Sequence, residues 1–164
     1  MDSETTAYPL DKLRNLADSF SQNERPTFTP PSSADAIQAF ESVLGFRLPS
    51  QLLQFLSTYD AIIAMNVHNG YWIGGLFELT RSVGRDDFPR SIMVGREPHT
   101  IIPVATDGGG NAFLLSVDDG RIWRWDHETG NTTNVANSFV AFLRQVAEDW
   151  DHAIFNDEDW EYLV

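Results

Sequence analysis

The chain has 164 residues, enough for one domain with a single core of ordinary size. A hydrophobic content of 42% and an aromatic content of 12% exclude a disordered acidic tail as the whole structure, and the absence of cysteine excludes disulfides, thiolate metal sites and thiol catalysis. The 24 Asp and Glu residues against 11 Lys and Arg give a net charge of −13, which argues against direct nucleic-acid binding, because such binders neutralise phosphates with basic side chains.

The opening "MDSETTAYPLDKLRNL" is acidic and polar, and no apolar run approaches the roughly 18 to 20 residues that span a bilayer. These features predict a soluble cytoplasmic protein with no membrane partner. Over residues 10 to 20 the spacing of Leu10, Leu13, Leu16, Ala17 and Phe20 predicts an amphipathic helix. The Pro- and Thr-bearing stretch from Ser21 to Ser33 breaks it. Residues 1–31 therefore read as an N-terminal helical arm and linker, and residues 32–164 as the main domain.

Ser32 or Ser33 caps a second predicted helix, with Ile37, Phe40, Val43 and Leu44 as its buried stripe and Gly45 as its left-handed stop. Pro49 suits the first turn of a third, whose core contacts are Leu52, Leu53, Phe55, Leu56 and Tyr59. From Ala61 to Gly95 the glycines punctuate short apolar runs, which read as short strands and loops. Ile101 to Ala105 reads as a strand, and Pro103 within it calls for an edge or a bulge.

"AFLLSV" and "RIWRWD" flank "DDG", the signature of a hairpin closed by a two-residue turn at Asp119-Gly120. That register puts Leu114 and Ser116 on one face with Trp123 and Trp125, and Phe113, Leu115, Val117 and Ile122 on the other. Trp125 is assigned to the core face. Ser138 caps a closing helix carrying Phe139, Phe142, Leu143, Val146 and Trp150 at helical spacing. Helices, then strands, then a helix make an α+β fold with a mainly antiparallel sheet.

Two segments look chemical. In "TDGGGN", Thr106 to Asn111, the glycines open a strand, not a helix, and no lysine follows, so a phosphate loop is disfavoured against a tight connection. In "WDHE", neighbouring strand residues point to opposite faces, and the four histidines lack zinc spacing. A turn in which Asp126 and Glu128 cap backbone groups is the simpler reading. Neither segment calls for a cofactor or a metal, and no catalytic residue is assigned. The C-terminus is different: residues 148–164 hold seven of the acids and no Lys or Arg, with Trp150, Trp160 and Tyr162 interleaved. Acids beside aromatics suit a protein partner, so Asp157, Glu158, Asp159, Trp160 and Glu161 are the candidate partner-binding residues.

"IPVATDGGGNAFLLSV", "DDGRIWRWDHE" and "NVANSFVAFL" together resemble the SUKH superfamily, in its Smi/Knr-type branch. The resembling features fall on Ile102, Pro103, Asp107, Gly108, Gly109, Gly110, Trp125, Asp126, His127, Ala136, Ser138, Phe139, Phe142 and Leu143. Upstream they fall on Leu44, Gly45, Leu48 and Pro49. The family often places an Asn-Gly-Gly soon after the second helix, whereas here "HNGYWIGG", His68 to Gly75, spreads that signal out. The resemblance implies a single-domain α+β fold, a structural role for the glycines and "WDHE", and no enzymatic activity. It further implies an immunity protein that neutralises a cognate polymorphic toxin, such as a nuclease or deaminase, or else a regulatory scaffold of the cell-wall type. A toxin domain with a basic surface would be steered to this acidic chain.

Overall fold

In the computed structural model, which describes residues 5–163, the N-terminal apolar spacing forms helix α1 (Ala7–Ala17). Leu10, Leu13 and Ala17 are buried on it, and Phe20 is buried just beyond its end. These side chains join the main core, because α1 lies along the closing helix α5 (Phe139–Ile154). The two-residue strand β1 (Thr27–Phe28) precedes helix α2 (Ala34–Leu44). Ser33 is the N-cap of α2, its hydroxyl accepting from the Ala36 N–H at 3.1 Å, and Gly45 ends the helix with φ +84°. Within the predicted stripe Ile37 and Phe40 are buried, but Val43 is 57% exposed. Pro49 sits at the N-cap of α3 (Ser50–Thr58), one residue before the helix, and Leu53 points outward while Leu52, Phe55 and Leu56 fill the core.

The middle third holds the short strands expected there, β2 (Ala61–Ala64), β3 (Tyr71–Gly74) and β4 (Ser91–Val94), and also a helix that was not expected, α4 (Leu76–Val83). Glycines bound α4 at both ends, and its buried Leu76 and Leu79 make a stripe too short to stand out from loop sequence. The two halves of the spread glycine signal separate accordingly. Asn69-Gly70 lies in the β2–β3 connection, and Gly74-Gly75 turns β3 into α4. A Cβ at Gly74 would meet the Phe55 ring at 2.5 Å and the Asp60 carbonyl oxygen at 2.6 Å, so only glycine lets the chain pass α3 there.

Strand β5 (Glu97–Asp107) is the longest, and with β6 (Ala112–Ser116), β7 (Ile122–Trp125) and β8 (Thr132–Ala136) it completes a sheet ordered β1-β2-β3-β5-β6-β7-β8. Strand β4 pairs with β5 off this path, and every pairing is antiparallel. Pro103 is therefore not on an edge strand. Its side of β5 is served by β4 along residues 97–100 and by β3 along residues 105–107. The Ile101 N–H donates to Arg90 on that side, so Pro103, two residues on, turns its missing N–H into the gap between the two partners. The register shifts against β6 between Pro103 and Ala105, which is the expected bulge.

The β6–β7 hairpin closes through a four-residue loop, Val117 to Gly120, not through a two-residue turn. Ser116 donates to the Arg121 carbonyl, and only Gly120 takes positive φ, at +77°; Asp119 does not. The Asp119 carboxylate instead accepts from the Arg121 N–H at 3.1 Å. Relative to the two-residue reading the register moves by two residues, and because strands alternate with a period of two, every side chain keeps its face. Leu114 pairs with Trp123 and Ala112 with Trp125, while Leu115 pairs with Ile122.

The assignment of faces to layers is where Trp125 is corrected. The helices cover the face bearing Phe113, Leu115 and Ile122, together with Ile62, Ile73 and Ile102. Trp125 lies on the opposite face with Leu114 and Trp123, in a second, smaller cluster built on Phe88 and Ile92 from the β4 region and Ile101 of β5. There it stays half-buried, its ring 5.1 Å from that of Phe88. Complete burial of a tryptophan would give about 3 to 5 kcal/mol on truncation. Trp125→Ala is expected to cost about half as much, roughly 2 kcal/mol, read as a shift in urea midpoint at unchanged slope.

Candidate functional site

The glycine turn between β5 and β6 is organised by Asp107. Its Oδ1 accepts from the Gly109 and Asn111 backbone N–H groups at 2.8 and 2.9 Å, and its Oδ2 accepts from the Asn111 side-chain amide at 3.0 Å. The Gly108 N–H donates to the Gly70 carbonyl in the β2–β3 connection, tying two loops together. Asn111 then links onward, its Oδ1 accepting from the His127 backbone N–H at 3.1 Å and lying 3.1 Å from the His127 ring nitrogen Nδ1. A Cβ at Gly110 would sit 3.4 Å from that ring.

In the next turn Asp126 Oδ1 accepts from the Glu128 and Thr129 N–H groups at 2.8 and 3.1 Å, and these bonds hold its carboxyl below the usual carboxylate range. Glu128 enters this turn through its backbone alone. Asp107, Asp126 and His127 thus meet backbone and amide groups, which is scaffold geometry. Among the described residues, no three His, Asp or Glu side chains converge where a metal ion could sit. Asn111, the residue next to the glycines, is the link that the sequence reading passed over.

The C-terminal residues do not form an extended acidic tail. Trp150 is wholly buried in α5, its indole N–H donating to the Tyr71 hydroxyl, so it belongs to the core and not to a binding surface. Beyond α5 the chain folds back as a strap from Asp157 to Leu163, and Asp149 is its anchor. One Asp149 oxygen accepts from Trp160 Nε1 at 2.9 Å, and the other accepts from the Leu163 N–H at 2.9 Å. Burial raises the Asp149 pKa, while these two bonds pull it the other way. Two ring stacks hold the strap down: Trp160 on His152, with centroids 3.7 Å apart, and Tyr162 on His68 at 4.0 Å.

Of the five candidate partner residues, two are therefore engaged within the chain. Asp157 pairs with His152 Nδ1 at 2.8 Å and accepts from the Asp159 N–H at 3.2 Å, and Trp160 is half-buried under its stack. The other three, Glu158, Asp159 and Glu161, are exposed on the strap, and among the described residues no cation is bonded to their carboxylates. Asp149, His68 and His152 were missed because their contacts join residues distant in sequence or turned back on a helix.

Asp149→Ala is expected to free the strap, since both of its donors lose their acceptor. The stability loss should be about 1 to 3 kcal/mol, with limited proteolysis cutting within residues 156–163. An unchanged digestion pattern would show that the stacks alone suffice.

An α+β sheet domain whose conspicuous turns are consumed by their own backbone has the build of a scaffold for binding. Comparison with known proteins identifies the scaffold. Residues 31–145 match the SMI1 / KNR4 family (SUKH-1), and the chain belongs to that family. Its domains are generally non-enzymatic immunity or regulatory domains that bind partner proteins. The chain is also 33% identical over 72 residues to the SPbeta prophage-derived uncharacterized protein YokK of Bacillus subtilis (strain 168). That stretch covers 42% of this chain and 38% of the relative, so well under half of the relative's length is matched. No helix among the described residues is long and apolar enough to cross a membrane.

Proposed function

We propose that this chain is a cytoplasmic immunity protein that binds a cognate toxin domain and neutralises it by occluding the toxin's active site. Residues 1–31 are read as an arm appended to the domain of residues 32–164, with α1 docked on α5. The observation that carries the reading is the strap. Asp149 and two ring stacks fix its backbone, while Glu158, Asp159 and Glu161 stay exposed and unpaired among the described residues. Held rigidly, such carboxylates meet a basic surface with little ordering cost. They also steer its approach through the field of a chain bearing −13.

A toxin that handles nucleic acid must present a basic groove to phosphates, and that groove is what an acidic strap would fill. The relative's prophage origin fits such a role. A nuclease and a nucleobase deaminase meet this requirement equally. No covalent step and no cofactor is needed, because occlusion is a binding event. A regulatory scaffold of the Smi/Knr type is the rival reading, and it needs no toxin.

Co-expression separates the two. A toxin-like domain encoded beside this chain's gene should arrest growth when expressed alone and be tolerated when the two are co-expressed. Arrest that persists despite a soluble, well-expressed chain would remove the immunity reading for that toxin.

A further inference from the structure

The sheet ends at β8, and among the described residues no strand pairs with its outer edge. The Asp126 N–H donates to the Asn131 carbonyl, so Asn131 turns that carbonyl toward β7, while its own N–H donates to the Thr129 hydroxyl. By alternation Thr133 also turns toward β7, and Thr132 and Asn134 present their N–H and C=O outward. Beyond them the register shifts, and the Val135 carbonyl is taken by Gln145 of α5 at 2.8 Å, which closes the usable edge. Thr133 and Asn134 are exposed. Natural edge strands are commonly guarded by charge or proline. Here no charged residue occurs between Glu128 and Arg144, and no proline lies in β8.

The surroundings of this edge say what would suit it. On the helix-covered face, beside Thr133 and Val135, a groove of about 570 Å³ runs between β8, α5 and the strap. Its walls include Glu148, Asp149 and Glu161, and Arg124 is the one basic residue among the described residues that line it. Arg124 already lies 3.9 Å from Asp107. A strand added to β8 would send alternate side chains over this groove, while its backbone met Thr132 and Asn134.

We propose that the outer edge of β8 receives an extended segment of a partner protein as an additional strand, with Lys or Arg at alternate positions reaching the Glu148–Glu161 groove. Main-chain bonds supply the affinity and the acidic groove sets the preference, as in other recognition by strand addition. The proposal rests on the reading of this chain as a partner-binding domain, and it names the chemistry and the register of the partner.

The probe is a capped peptide about eight residues long, alternating threonine and lysine, titrated into the full chain labelled with nitrogen-15. Two controls accompany it: a threonine–glutamate peptide, and a peptide of the first composition with its lysines in one block. Amide exchange at Thr132 and Asn134 should be fast in the free protein and slowed by the alternating lysine peptide alone. Thr132→Pro removes one outward donor at a position where an edge strand tolerates proline. It should weaken binding about tenfold while leaving the thermal midpoint near its parent value. Should that variant unfold, Glu148→Gln with Glu161→Gln leaves the backbone untouched and should weaken binding by a similar factor. Equal binding of the blocked and alternating peptides, or binding that leaves both amides unprotected, would overturn the proposal. The two readings fail separately. A toxin neutralised equally by Thr132→Pro would sink the edge and keep the immunity function. Amides protected by the peptide in a chain that rescues no toxin would do the reverse.

Discussion

Trp150→Ala is expected to destabilise the protein by about 4 to 5 kcal/mol, at the upper end for truncating a buried aromatic. The indole is fully buried, with the ring of Phe20 5.8 Å away and that of Phe28 6.2 Å away, both edge-on. Its N–H donates to the Tyr71 hydroxyl, which is itself buried and whose pKa burial drives upward. Truncation therefore leaves a cavity and also strands a buried hydroxyl, and the second effect adds about 1 to 3 kcal/mol unless water enters. Trp150→Phe separates the terms: it keeps most of the apolar volume and should cost about half as much. Adding Tyr71→Phe should recover part of that loss, because both members of the bonded pair are then apolar. Denaturant unfolding of the two single variants and the double variant gives the coupling. A cost below about 2 kcal/mol for Trp150→Ala would mean that the site collapses around the gap.

That experiment probes the part of the fold that local sequence showed well. Trp150 follows Phe139, Phe142, Leu143 and Val146 at helical spacing, and Ser138 caps the helix with its hydroxyl accepting from Ala141 at 3.0 Å. The hairpin faces were equally legible, since a period of two survives any even shift in register. What local sequence did not show was which face the helices cover, because Leu114, Trp123 and Trp125 are as apolar as Phe113, Leu115 and Ile122. The deciding residues, Phe88 and Ile92, belong to a segment whose own structure was unclear from its pattern. Helix α4 escaped for a related reason: eight residues between glycines give two turns, too few for a period of 3.6 to declare itself. At the C-terminus the acids and aromatics were visible as composition. Their sorting into an anchor, two stacks and three free carboxylates depends on Asp149 reaching Leu163 and His68 reaching Tyr162. Neither contact leaves a local trace.

The sorting changes the test of the proposed partner surface. Neutralising all of Asp157, Glu158, Asp159 and Glu161 would disturb the strap, since Asp157 holds His152 and accepts from Asp159. The cleaner variant replaces the three exposed acids alone, as Glu158→Gln, Asp159→Asn and Glu161→Gln. Folding stability should change by less than about 0.5 kcal/mol, as exposed charges without close partners contribute little. Association with the toxin should slow about tenfold at low salt and become less sensitive to added salt, because the lost charges act through a field screened over about 8 to 10 Å. Dissociation should also quicken if any of the three meets a basic group at close range, where couplings run from about 1.5 to 7 kcal/mol. Trp160→Phe supplies the contrast. It retains a ring over His152 and removes only the bond to Asp149, so it should loosen the strap and raise the dissociation rate with little effect on salt dependence. Stopped-flow binding at two ionic strengths measures all of these quantities. Unchanged association and an unchanged salt slope in the triple variant would take the acids out of the interface. Toxin protection of the Thr132 and Asn134 amides would then leave the main-chain edge of β8 as the contact surface, without Glu161.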